Sequence, residues 1–184
     1  LGNDFLPHIP SIDINIGGLD IVLDAYVSTY CILNTNIVNV SEMAINDVFV
    51  EMFLRYASDR EEYYFKKLLP KFLESSQRRR CPFNDPYDVE EWKLENMIGV
   101  KVHDPIKLGV WSRQEWKHRY YEHHFNSNID QNSLKIRLCD EYIRGLVWTF
   151  KYYFEGCCSW SWKYPYSHAP FVSDLCTYYE KEIA

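Results

Sequence analysis

The stretch Leu19-Asp20-Ile21-Val22-Leu23-Asp24-Ala25-Tyr26-Val27-Ser28-Thr29-Tyr30 decides the fold class. Leu19, Val22, Leu23, Tyr26, Val27 and Tyr30 stand at i, i+3, i+4, i+7, i+8 and i+11, the recurrence of a helix that packs one face. Working outward, the same spacing returns in Ile45, Val48, Phe49, Met52, Phe53 and Tyr56, with Ser41 as the expected cap. Ser58 and Glu61 form a capping-box pattern for a third helix, whose apolar side is Tyr64, Phe65, Leu68, Leu69 and Phe72 and in which Pro70 predicts a kink or break. Between Ser75 and Gly109 the periodicity dissolves into turn formers such as Asn84-Asp85-Pro86 and Asp104-Pro105, with a short helix expected near Val89 to Met97. Arg78-Arg79-Arg80 in this region reads as a solvated loop or a phosphate contact. Helical signals resume at Ser112, ahead of Glu115, and at Ser133, ahead of Leu134, Leu138, Tyr142, Leu146, Phe150 and Phe154. The expected fold is mainly α, a multi-helix domain with no internal repeat.

A chain of 184 residues suits one domain, or one domain with a long insertion. Hydrophobic residues at 47% and charged residues at 25% exclude a mainly disordered or collagen-like chain. A net charge of −6 argues against a whole-surface nucleic-acid binder and leaves room for a local basic patch. The outlier is aromatic content, 17% of the chain with 15 Tyr, 10 Phe and 6 Trp, which predicts either a bulky core or a stacking surface. No apolar run approaches the ~18 residues of a membrane span, and Leu1 to Pro10 lacks the pattern of a secretory signal. The expectation is a soluble, intracellular protein with no membrane partner. Cys31, Cys81, Cys139, Cys157, Cys158 and Cys176 form no C-x-x-C pair and are expected to be buried, reduced thiols. Leu1 stands directly inside a motif-like stretch, as expected of a piece of a longer protein.

Two stretches concentrate chemistry. The first, Leu1-Gly2-Asn3-Asp4-Phe5-Leu6-Pro7-His8-Ile9-Pro10, is too rich in turn formers for a helix and too apolar for a solvated tail. Asp4 there is either a cap of its own turn or a hard-cation ligand, and His8 either a hydrogen-bonded structural histidine or a ligand or base. One carboxylate does not make a metal site, since two-metal phosphodiester chemistry needs several acidic residues converging. The second stretch, from Trp148 to Tyr166, holds nine aromatics in nineteen residues, first at helical spacing and, after Gly156, in period-two order. The helical ones, Phe150 and Phe154, are expected in the core. In Ser159-Trp160-Ser161-Trp162 the extended alternation places both indoles on one face. Such a wall stacks nucleobases, sugars or Pro-rich peptide, or else plugs the loop onto its helix.

Gly2-Asn3-Asp4-Phe5-Leu6-Pro7-His8 and Ser159-Trp160-Ser161-Trp162-Lys163-Tyr164-Pro165-Tyr166-Ser167-His168-Ala169-Pro170-Phe171 together resemble the XRN family of 5′→3′ exoribonucleases. Leu19 to Tyr30, Trp116-Lys117-His118-Arg119-Tyr120-Tyr121 and Glu141 to Trp148 extend the resemblance over nearly the whole chain, with Ser75 to Gly109 matching poorly. The resemblance implies the C-terminal part of an incomplete α/β nuclease region. It divides the chain into the end of the nuclease-core motif (1–16), a helical segment (17–74), a variable linker or insertion (75–110) and a helical segment with the aromatic loop (111–184).

By the same resemblance the parent enzyme hydrolyses single-stranded RNA with a 5′-monophosphate, processively and with Mg²⁺ (Mn²⁺ as a substitute). Asp4 falls on a catalytic, metal-binding carboxylate, and Trp160 or Trp162 on the residue that stacks a 5′-proximal base. Asn3, His8 and His168 are possible supporting residues. The chain departs from the family pattern at Lys163, where Tyr is usual, and at Ser167-His168, where His-Tyr is usual, so the histidine moves one place and its facing reverses. The other acidic ligands and the 5′-phosphate pocket precede the first motif in the family. The partners implied are therefore RNA and the missing N-terminal nuclease core, and the fragment is expected to be inactive alone. The compartment implied is the cytoplasm, with the nucleus as alternative. The rival reading is a helical module that binds single-stranded RNA or a protein without catalysis.

Overall fold

The computed structural model describes residues 2–77, 80–95, 106–125 and 131–182. Arg78, Arg79, Asp104 and Pro105, and the end of the helix expected at Val89 to Met97, lie outside them. The elements run α1 (Gly18–Leu33), β1 (Val38–Asn39), β2 (Ala44–Ile45), α2 (Asp47–Tyr63), α3 (Leu69–Gln77), α4 (Pro86–Glu95), α5 (Arg113–Phe125), α6 (Gln131–Glu155) and α7 (Val172–Glu182). The fold is mainly α, as expected from the periodicity. The strands form a minimal antiparallel hairpin with Val38 opposite Ile45 and Asn39 opposite Ala44.

Helix α1 turns a different face inward from the one its large apolar residues mark. Gly18, Ile21, Ala25 and Thr29 are buried, whereas Leu23 and Val27 are 51% and 57% exposed and Leu19 and Tyr30 also face outward. Small residues decide this. A Cβ on Gly18 would lie 2.5 Å from the Asp13 carbonyl oxygen, so the helix enters tight against the preceding turn, and Thr29 satisfies its hydroxyl on the Ala25 carbonyl at 2.8 Å.

The start of α2 also differs from expectation. Ser41 sits in the hairpin turn, with its amide and hydroxyl both held by the Asn39 side chain (3.2 and 2.7 Å). Asn46 caps the helix instead, its Oδ1 accepting the Phe49 amide at 3.1 Å. Ser58 starts no new helix, because α2 runs through it and joins α3 by one widened turn, Tyr64–Leu68. In that turn the Leu69 amide bonds the Tyr64 carbonyl five residues back. Proline removes one amide and its ring clashes with the carbonyl four residues earlier, so the wide turn absorbs Pro70 without a break.

At α5 the capping box is present: the Ser112 amide meets Glu115 Oε2 at 3.1 Å and the Glu115 amide meets Ser112 Oγ at 3.4 Å. Helix α6 begins at Gln131, so Ser133 lies within its first turn. Its expected apolar row holds at Leu134, Leu138 and Tyr142, which are buried, and then drifts outward to Leu146 and Phe154, which are exposed. Steps of four overshoot the ~3.6-residue turn by about 40° each, so the inward row passes to Gly145 and Thr149.

Part of the aromatic excess builds the core. Phe171 is fully buried, with Trp116, Tyr120 and Tyr121 at centroid distances of 5.1, 4.6 and 5.7 Å and Phe65 at 5.9 Å. Beside it runs a buried polar network. Glu61 on α2 accepts the Ser173 amide at 3.2 Å and the Ser173 hydroxyl, and Lys117 on α5 reaches Ser173 Oγ at 2.5 Å, Asp174 at 3.0 Å and Glu61 at 3.8 Å. Tyr121 donates to Asp174 at 2.7 Å. These bonds fix the first turn of α7 and hence the exit of the aromatic loop. Cys139 and Cys176 are buried free thiols, but Cys31 and Cys158 are exposed and Cys81 and Cys157 half-buried, so burial does not extend to all six.

Candidate nucleic-acid interface

The N-terminal turn is closed by Asn3. Its side-chain oxygen accepts the amides of Phe5 at 2.9 Å and Leu6 at 2.8 Å, and its own amide donates to the Leu6 carbonyl at 3.1 Å. Gly2 lies flat on the next residues, where a Cβ would meet the His8 nitrogen at 2.7 Å. Leu6, Ile9 and Ile12 are buried in the core and the Tyr142 hydroxyl donates to the Pro7 carbonyl at 2.8 Å, so the turn is anchored from below. With its neighbour doing the capping, Asp4 is exposed and has no hydrogen-bond or ion-pair partner among the described residues. The carboxylate is displayed to solvent on a fixed base. His8 is exposed as well.

The residue after Asp4 joins this turn to the aromatic stretch. Phe5 meets Trp148 and Tyr152 edge-on, both at 4.9 Å. Trp148 is stacked with Tyr152 (5.3 Å, 11°) and with Trp162 (5.2 Å, 27°), and its Nε1–H donates to the Ser159 carbonyl at 3.2 Å. Gly145 makes room below: a Cβ there would come within 2.6 Å of Leu6 and 3.0 Å of Trp162. The first motif and the aromatic loop, more than 140 residues apart in sequence, therefore share one seam on α6.

The two indoles of the loop do not share a face. From Trp162 onward the alternation holds, with Trp162, Tyr164, Tyr166 and His168 half-buried and Ser161, Lys163, Pro165 and Ser167 exposed. A bend at residues 160–161 takes Trp160 off that register and leaves it 91% exposed. Lys163 thus faces outward. His168 occupies an inward, aromatic position of the loop, its imidazole stacked on His124 at 3.7 Å and its Nδ1 2.9 Å from Ser167 Oγ. Burial, helped by His168 and His123, holds the His124 imidazole down to about 4, and burial with His123 and His8 pushes His168 below its ordinary value.

Phe5, Gly145, Trp148 and Tyr152 are the members of this seam that sequence reasoning did not single out as site residues. The available signals were the i, i+4 spacing of Trp148 and Tyr152 and the glycine inside a helical pattern. Among the described residues, no group of three or more His, Cys, Asp or Glu could hold a metal ion. Asp4 is compatible with a single oxygen ligand to a hard cation, and its donor set here ends there.

The described residues form a mainly helical domain that displays a carboxylate beside an aromatic seam. The chain belongs to the Xrn1 helical domain family, whose profile matches residues 1–96 and 87–184. It is 26% identical to a 5′-3′ exoribonuclease 2 homolog of Drosophila melanogaster over 95% of this chain and 23% of the relative. It is 23% identical to a 5′-3′ exoribonuclease 2 of Gallus gallus over 95% of this chain and 25% of the relative. A shorter match, to a 5′-3′ exoribonuclease 2 of Yarrowia lipolytica, reaches 40% identity over 58% of this chain and 11% of the relative. The chain spans about a quarter of the length of the first two relatives. Among the described residues no helix is long and apolar enough to cross a membrane.

Proposed function

We propose that this chain is the helical part of a 5′→3′ exoribonuclease that hydrolyses single-stranded, 5′-monophosphorylated RNA processively, with Mg²⁺ or in its place Mn²⁺. The observation that carries the reading is the placement of Asp4, an unengaged carboxylate whose neighbour Phe5 packs into the aromatic seam. Asp4 supplies one metal ligand and Asn3 holds its turn. Bound metal would supply charge neutralisation at the scissile phosphate and activation of the attacking water. Trp160, 91% exposed at its bend, offers the stacking surface for a 5′-proximal base, and Trp162, backed by Trp148, anchors the loop that carries it. His8 and His168 line the approach without holding metal. The remaining carboxylates and the 5′-phosphate pocket come from the nuclease core of the longer protein, so this chain alone is inactive. RNA turnover in the cytoplasm is the role that fits the Ser-Trp-Ser-Trp pattern, with the nucleus as the alternative compartment.

Replacement of Asp4 by Asn in the full-length protein tests the reading. Loss of several kcal/mol of charge stabilisation predicts a fall in Mg²⁺-dependent degradation of 5′-monophosphorylated RNA of about 10²- to 10³-fold. RNA affinity stays near wild type. Undiminished degradation would leave the rival reading, a helical module that binds RNA or protein without chemistry, for which the exposed Trp160 is the supporting feature.

A further inference from the structure

Trp148 is the node of the seam. It touches three separate segments: the 2–8 turn through Phe5, its own helix through Tyr152, and the aromatic loop through Trp162 and the Ser159 carbonyl. With Tyr152 and Trp162 stacked on the indole, Phe5 against its edge and the Nε1–H already donated, the side chain is committed to protein contacts. It is poorly placed to take a nucleobase itself. Yet the two groups given roles above, Asp4 and Trp160, each lie one residue from something Trp148 holds, Phe5 on one side and Ser159 on the other.

We infer that Trp148 is a positioning residue that sets the Asp4 turn and the Trp160 bend in register with one another. The inference deepens the nuclease reading and rests on it for what the register serves, while the coupling itself is a property of the fold. Ser159 is the residue before the exposed indole, so the hydrogen bond to its carbonyl fixes where the bend begins. Phe5 is the residue after the carboxylate, so its edge-on contacts with Trp148 and Tyr152 fix the side to which Asp4 is displayed. Gly145, one helical turn before Trp148, keeps the floor low enough for Leu6 and Trp162 to lie side by side. A misplacement of ~1 Å in such a constellation is enough to cost on the order of a hundredfold in rate.

Two measurements on the full-length protein separate the inference from the function it serves. Hydrogen exchange reads the coupling directly. Trp148→Ala accelerates exchange in both the 2–8 turn and the 159–163 loop with the amides of α2 and α7 unchanged. Trp148→Phe, which keeps a ring but loses the N–H, restores protection in the turn and not in the loop. Protection in both segments left as in wild type by Trp148→Ala overturns the inference whatever the protein's activity.

The second measurement is a double-mutant cycle on affinity for short 5′-monophosphorylated RNA without divalent metal. Trp148→Ala weakens binding almost as much as Trp160→Ala, and the double variant binds within about twofold of the weaker single one, the non-additivity of residues acting as one unit. Multiplicative losses would mean that Trp148 does not act through the bend and would also overturn the inference. Unchanged affinity in Trp160→Ala, with the exchange result as expected, would refute the stacking role and leave the coupling standing.

Discussion

Asp4 and Asn3 show how one position frees another. An Asp in a turn of this composition ordinarily caps its own backbone. Here the neighbouring amide side chain occupies both backbone donors, at 2.9 and 2.8 Å, and the carboxylate is left to solvent. That division of labour was not legible in the sequence, because Asn3 and Asp4 are equally good caps and only the register of the turn decides between them. His168 is a second case. The residue order predicted reversed facing for the shifted histidine, and the structure places it on the inward row, where it meets His124. Two stacked, half-buried imidazoles resist charging. His124 titrates at 6.5 when unconstrained and at about 4 in the fold, so the unfolded chain binds a proton that the folded one refuses. The stability this ring contributes is fully present above about pH 6.5 and is lost as the pH falls toward 4. His124→Phe should flatten the dependence of the melting temperature on pH in that window, with His123 and His168, the imidazoles beside it, left unchanged.

Most helices were legible as helices because apolar spacing reports them, but α7 was not anticipated, and which face of each helix turns inward was not legible. On α1 the small residues Gly18, Ala25 and Thr29 admit close approach, and the larger ones, Leu23 and Val27, are left outside. Periodicity ranks residues by hydrophobicity, whereas packing selects by fit, and on a helix apolar nearly all round the two differ. Boundaries failed for a related reason. Ser41, Asn46 and Ser58 are all acceptable caps, and the hairpin that engages Ser41 is too short to announce itself in alternation. Glu61, expected at a helix start, is instead the buried partner of Ser173 and Lys117 between α2, α5 and α7. Removing one side of a buried ion pair leaves the other charge unmatched, which costs about 3–5 kcal/mol. Lys117→Met is therefore expected to destabilise the fold by about that amount in chemical denaturation. Burial raises the Glu61 carboxyl above its ordinary value, so the variant's loss is smaller at acidic pH, where Glu61 takes up a proton, and grows as the pH rises.

At the scale of the whole molecule, two clusters stand out within the aromatic excess. One surrounds Phe171 and builds the core, as a bulky-core reading anticipated. The other, Phe5, Trp148, Tyr152 and Trp162, forms the seam that brings the first motif to the loop. Both motifs were legible in the sequence, and so was their kinship to exoribonucleases. Their adjacency was not, since nothing local marks residues more than 140 positions apart as neighbours. The seam gives Asp4 a fixed position with no partner to neutralise it among the described residues, and that is the property a shared metal site would require of one contributing ligand. Mn²⁺ binding to the full-length protein, wild type against Asp4→Asn, measured by isothermal titration with the thermal unfolding of both proteins matched, tests this most directly. Loss of one anionic ligand predicts Mn²⁺ affinity weakened by about tenfold or more at unchanged stability. Wild-type Mn²⁺ affinity in the variant would contradict it.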